Sequence, residues 1–244
     1  MAEVLEYPMR ELLEIMHNGN QHLLLELLQQ SPVEEHQAIT LQYARLMGQL
    51  VDYCKAGLLE ADGLTTGFIC GLHRLLYPEG HTCAAQDAEG NTVLMYPGQY
   101  KLLQQAAINR AGPGSLSVFM PPEETPQAME AIVATLEGQL RTSKDAEKKR
   151  DAIIVFALEY LLIHPFFDGN GRVACILTDL LLLRERLPLL NMSSVYRHSP
   201  QIKQELILVV SEVRRTRDLA PLYSFIASYR PMPDKGESSS WPLT

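Results

Sequence analysis

An imidazole, a carboxylate and a guanidinium fall within one short run, His164-Pro165-Phe166-Phe167-Asp168-Gly169-Asn170-Gly171-Arg172. That set suits transfer of a phosphoryl or nucleotidyl group. An imidazole with an ordinary pKa of about 6.5 accepts a proton from an attacking hydroxyl at neutral pH, which is the role open to His164. Asp168 offers the hard oxygen ligand that a phosphate-bound Mg²⁺ takes. Gly169 and Gly171 let the backbone turn closely and leave the first N–H groups of a following helix without internal partners. With the positive end of the helix dipole and Arg172, those groups make a pocket for phosphate oxygens. Singly, each feature has a plainer reading. Most histidines are structural, Gly-Asn-Gly is usually a turn, and an Asp before it is commonly a helix N-cap. The run as a whole is what points to a site.

Its position supports that reading. The segments on either side, Ala152 to Ile163 and Val173 to Leu183, are apolar on nearly every face, as helices in the middle of a bundle are. Pro165 stops the first helix. Ions at such a depth cost several kcal/mol each unless paired, hydrogen-bonded or opened to a solvent pocket, so a site accounts for their presence. Further stretches with helical spacing run over Val4 to Gln30, His36 to Ala56, Gly63 to Leu76, Pro126 to Thr142, Ala146 to Ile163, Gly171 to Glu185, Ile202 to Arg217 and Ala220 to Tyr229. The expected fold class is mainly α. Between His81 and Tyr96 the turn-rich Asp87 to Asn91 separates two β-compatible pieces, which predicts a hairpin. A second extended piece is expected over Tyr100 to Ile108, where the Leu, Gln and Ala content suits a helix equally, and Asn109 to Gly114 reads as a loop. The tail from Pro231 is rich in Pro and Ser and is expected to be flexible.

The 244 residues are 46% apolar and 20% charged, enough for a packed core and too apolar for general disorder. A net charge of −8 argues against a protein that coats nucleic acid or an anionic membrane, so a nucleotide or a protein is the expected partner. Cys54, Cys70, Cys83 and Cys175 form no CxxC pair and read as reduced thiols. The acidic N-terminus lacks the pattern of a signal peptide, and the longest apolar run falls short of the roughly 20 residues of a membrane span, so a cytoplasmic protein is expected. No HExxH, GxxxxGK(S/T) or GxSxG occurs.

The run His164 to Arg172 resembles the HPFx(D/E)GNGR signature of the Fic family, whose usual members transfer AMP from ATP to a Ser, Thr or Tyr hydroxyl of a protein. The resemblance extends over about Leu24 to Arg230 through weaker marks: Gly71 to Leu76, similar to the helix before the family's hairpin; Pro97 to Lys101, similar to its PGxYR entry; and Val118 to Pro122, similar to its Pro-rich exit. It implies a Fic-type helical bundle with a small β-hairpin flap, with an N-terminal helical segment over 1–60, a catalytic core over 61–230 and a tail over 231–244. His164 would be the general base, Asp168 the Mg²⁺ ligand, and Gly169, Asn170, Gly171 and Arg172 the nest around the phosphates of the ATP co-substrate. Phe166 would seat the loop. Lys101, Leu102, Leu103, Gln104 and Gln105 would begin the flap, Lys101 to Ile108, that docks a target protein as an added strand.

Three positions depart from the family pattern. Cys175 stands where a second Arg usually reaches the γ-phosphate, Asp179 where Asn is common, and Lys101 where Arg is common. Losing that Arg removes a charge-assisted bond generally worth about 1.5–3 kcal/mol. The alternatives are therefore another phosphate donor, removal of the modification, or a nucleotide- or partner-binding module without turnover. Near the N-terminus, Ser31 to His36 is similar to the family's inhibitory motif (S/T)xxxE(G/N), with Glu35 as the inhibitory carboxylate. The other reading is that Ser31 caps a helix and Glu34 completes a capping box.

Overall fold

The computed structural model describes residues 63–109, 115–188 and 200–228. It contains helices α1 (Thr66–Leu75), α2 (Thr125–Thr142), α3 (Ala146–Ile163), α4 (Asn170–Arg184), α5 (Pro200–Thr216) and α6 (Ala220–Ser228). Strands β1 (Cys83–Gln86) and β2 (Thr92–Met95) form one antiparallel hairpin, and β3 (Ala106–Asn109) and β4 (Ser115–Val118) form another. The chain divides into two compact units, Met1–Ser193 and Ser194–Thr244. The first holds α1 to α4 and both hairpins. The second holds α5 and α6, which pack on each other.

Local chemistry sets the helix starts. Thr65 Oγ1 accepts from the Phe68 N–H at 3.0 Å at the head of α1, and Asp145 accepts from Glu147 and Lys148 at the head of α3. Pro126 lies in the first turn of α2, where a missing N–H costs nothing. Only the short link Ser143–Asp145 separates α2 from α3, so the two lie side by side, and α3 packs in turn on α4. Met129, Leu136, Ile153, Phe156, Tyr160, Val173, Leu177, Leu180 and Leu181 fill the layers between them. Burying a side chain of this size is worth about 1.5–3 kcal/mol. Ile69 and Leu72 add the face of α1, which packs against α2 and α4.

The mainly α class and the hairpin between His81 and Tyr96 are as the sequence predicts. In that hairpin Cys83 faces Met95 and Gln86 faces Thr92, and Asp87 Oδ1 accepts from the Glu89 and Asn91 N–H groups to close the turn. The second extended piece is a correction. Its strand begins only at Ala106, and Tyr100 to Gln105 join neither a helix nor a ladder. The cause is competition for hydrogen bonds, because the N–H of Lys101 is held by the carbonyl of Pro165 at 2.8 Å. The partner strand β4, which pairs Val118 with Ala106 and Ser115 with Asn109, carries a Ser-Leu-Ser-Val alternation too short to read from sequence. The expected helices Val4 to Gln30 and His36 to Ala56, and the tail from Pro231, lie outside the described residues. Among the described residues no helix is long and apolar enough to cross a membrane.

Candidate active site

Helix α3 ends on His164, whose left-handed backbone (φ 53°, ψ 62°) turns the chain out of the bundle while its N–H still reaches the Tyr160 carbonyl at 2.9 Å. For a residue with a Cβ this conformation is uncommon and is held by its surroundings. Pro165 has no N–H to give Leu161, and the ring of His164 donates to that carbonyl instead. The imidazole stacks on Phe119, centroids 3.9 Å apart and planes 12° from parallel. Burial chiefly, with the charge of Lys101 acting in the same direction, lowers its pKa to about 4, against the opposing pull of the Leu161 bond and Asp168. At pH 7 the ring is neutral, with one nitrogen free to take a proton.

The loop returns into α4 through Asp168 and Gly169. Asp168 Oδ2 accepts from Tyr77 Oη at 3.0 Å and from Arg172 Nη2 at 3.0 Å, and Arg172 Nη2 also donates to Tyr77 Oη at 3.1 Å. Burial works to raise the Asp168 pKa, but Arg172, the Gly169 N–H, the Tyr77 hydroxyl and His73 together hold it below the ordinary value. The carboxylate stays ionised with its side chain 64% exposed. Gly169 has φ +74°, and a Cβ there would lie 2.8 Å from Tyr77 Oη, so neither the backbone nor the space admits another residue. No side chain caps α4, which leaves its first-turn N–H groups, from Asn170, Gly171 and Arg172, for a ligand. A Cβ at Gly171 would meet nothing within 4 Å, so open space lies beside it.

Asn170 does something other than face that space. Its Oδ1 accepts from the Phe166 N–H at 3.0 Å and its Nδ2 donates to the Phe166 carbonyl at 2.7 Å, all buried. Only its main chain can belong to an anion nest. The side chain staples the loop shut. Phe166, fully buried, stacks on His73 with centroids 3.8 Å apart.

His73 and Tyr77 are site residues that the sequence reading did not single out. His73 Nδ1 accepts from the Gly98 N–H at 2.8 Å, which assigns the proton to Nε2, and Nε2 then donates to the Asp168 carbonyl at 2.9 Å. Burial first, with Arg172 in the same direction and the Asp168 contacts opposing, lowers its pKa to about 4. Burial likewise holds the Tyr77 hydroxyl well above its ordinary value, so it remains a donor. Their sequence signal is slight: His73 lies on a helical segment and Tyr77 just past its end, at an i, i+4 spacing that any amphipathic helix shares.

The flap residues divide. Leu102 and Gln104 are exposed, Leu103 and Gln105 half-buried. Gln104 Nε2 donates to the Phe119 carbonyl at 2.8 Å, Gln105 Nε2 to the Phe167 carbonyl at 2.8 Å, and the Phe119 N–H to the Gln105 carbonyl at 3.1 Å. The Lys101 side chain, only 2% exposed, turns inward, away from any docking partner, because its ammonium donates to the buried Ile163 carbonyl at 2.7 Å. Ser31 and Glu35 lie outside the described residues.

Deeper along α4, burial first and then the Asp179 carboxyl push the Cys175 thiol up to about 12, so it stays protonated. Asp179 is 5% exposed, its Oδ1 has no hydrogen-bond partner among the described residues, and burial raises its pKa to about 7. A carboxyl raised on folding binds a proton that the unfolded chain has lost, so stability falls as pH rises from about 4 to about 7. Asp179→Asn should therefore stabilise the protein by about 1–3 kcal/mol at pH 8, the gain vanishing towards pH 4. Paired thermal melts at the two pH values check this, and an equal effect at both would refute it.

The Fic/DOC family profile matches residues 63–182. A Fic domain containing signaling protein from Bacteroides thetaiotaomicron aligns with 90% of this chain and 81% of its own, at 18% identity and a TM-score of 0.61. A Fic family protein from Desulfovibrio desulfuricans aligns with 91% of this chain and 62% of its own, at 17% identity and a TM-score of 0.53. At these identities the two structures establish the fold. No curated protein matches the chain. Since the matched span holds α1, both hairpins, the loop from His164 to Arg172 and nearly all of α4, residues 63–182 of the chain form a domain of the Fic/DOC family.

Proposed function

We propose that the protein is a nucleotidyltransferase that moves AMP from ATP to a hydroxyl side chain of a target protein. The observation that carries this is His164, a neutral imidazole with an unprotonated nitrogen, at the edge of an uncapped helix start lined by Arg172. The α- and β-phosphates would lie on the first-turn N–H groups of α4 and on Arg172, beside the open space at Gly171. Asp168 fits a single-carboxylate Mg²⁺ ligand, being ionised and largely exposed, with phosphate oxygens and waters completing the shell. Mg²⁺ would supply charge neutralisation on the phosphates. The target oxygen then bonds to the α-phosphorus, its proton passes to His164, and the bond from the α-phosphorus to the bridging oxygen breaks to release pyrophosphate. Leu102 and the exposed edge of the flap would hold the target chain.

Label from [α-³²P]ATP should enter protein in a lysate, in a Mg²⁺-dependent manner, when this protein is added, and its addition should not raise incorporation of label from [γ-³²P]ATP. A rise in transfer of the γ-label would refute the reading. A second donor class is favoured by one observation: the position of the usual second Arg holds the neutral thiol of Cys175, with the Asp179 carboxyl near it, in place of that cation. Without a cation for a γ-phosphate at that position, a donor with only two phosphates in its chain would be suited. Intact-mass analysis of the target against a panel of nucleoside triphosphates and diphosphate-linked donors separates the two.

A further inference from the structure

Lys101 is the charged side chain most thoroughly enclosed next to the loop, and the mechanism above does not use it. Its two hydrogen bonds bracket a single residue. The main-chain N–H donates to the carbonyl of Pro165 at 2.8 Å, and Nζ donates to the carbonyl of Ile163 at 2.7 Å, so the carbonyls of the residues on either side of His164 are both tied to Lys101. Between them His164 adopts its left-handed conformation. The ammonium also stands 6.0 Å from the centre of the Phe119 ring, whose face carries the His164 imidazole.

We propose that Lys101 is a positioning residue for His164, clamping the strained turn from both sides and ordering the imidazole through Phe119. The Ile163 carbonyl is one of the last four of α3 and has no donor within the helix. An ammonium on a flexible stem satisfies it while keeping a positive charge by the imidazole, which helps to keep that ring unprotonated. The charged groups acting on the ring are Lys101 and Asp168, which oppose each other. Lys101 itself, lowered to about 8 by burial, is still mostly charged at pH 7. This role rests on His164 being the base of the proposed reaction, but the clamp itself is measurable without any nucleotide.

In Lys101→Met the stem still fills the buried slot, while the donor and the charge are lost. Titration of ¹³C-labelled histidine by NMR should move the His164 midpoint from about 4 upward by about one unit or more, with broadening as the ring leaves Phe119. In the transfer assay kcat should fall at least ~30-fold with KM for ATP changed less than about threefold, because orientation of the base is lost and phosphate binding is not. An unchanged midpoint and line width overturns the proposal, as does a loss confined to KM. If the variant does not fold, the wild-type ammonium decides: its ¹⁵N-bound protons should be protected from solvent exchange, and exchange as fast as that of a surface lysine overturns the clamp. If the histidine titration responds while no AMP is transferred by either protein, the clamp stands and the proposed reaction fails.

Discussion

His164→Ala should lower AMP transfer about 10²–10⁴-fold with little change in ATP affinity, the range that removal of a positioned general base produces. The ring touches Phe119 and the Leu161 carbonyl, whereas the groups available to phosphate are the α4 N–H groups, Arg172 and Asp168. Loss of the ring therefore falls on the step that moves the proton. The pH profile supplies an independent check on the same residue. With the imidazole lowered to about 4, the acid limb of kcat/KM in the wild-type enzyme should lie well below the ordinary histidine value of about 6.5. Initial rates with labelled ATP over pH 4–8 read both quantities. An acid limb centred at about 6.5 would mean that the working base is not the half-buried His164 ring, and full activity in the alanine variant would remove the mechanism altogether.

Asn170→Ala is expected to destabilise the protein by about 2–6 kcal/mol, because two buried backbone groups lose their partners and each costs about 1–3 kcal/mol. Both groups belong to Phe166, and among the described residues no other donor or acceptor meets them. The loop between Ile163 and Asn170 forms no secondary structure, so its N–H and C=O groups depend on side chains for satisfaction. Asn170→Asp, nearly the same in shape, should also destabilise, since a carboxylate would face the Phe166 carbonyl in place of an amide donor. Urea melts report the loss. A change below about 0.5 kcal/mol in the alanine variant would show that the loop is held by the Phe166–His73 stack instead, since such a value is typical of substitutions that break nothing.

The two variants separate the two ways in which the site can fail. His164→Ala should slow transfer in a stable protein, whereas Asn170→Ala should weaken folding and nucleotide binding together, because the N-terminus of α4 and the loop it closes are one unit.

What the sequence by itself determined is local. The apolar runs on either side of the loop make buried helices whatever their neighbours, Pro165 ends the first, and Gly169 is needed because the turn there demands φ +74°. Those constraints act over a few residues, so periodicity and residue type disclose them, and the signature from His164 to Arg172 identifies the loop without reference to the rest of the chain. The remainder depends on contacts far apart in sequence. His73 reaches the loop from α1 and Tyr77 from just beyond its end, Phe119 covers His164 from the end of β4, and Lys101 turns away from the flap to hold the carbonyl of Ile163. Neither the lowered pKa of the base nor the direction in which Lys101 points is a property of any short segment, because burial and hydrogen-bond satisfaction are set by whatever surface the folded chain brings against each group.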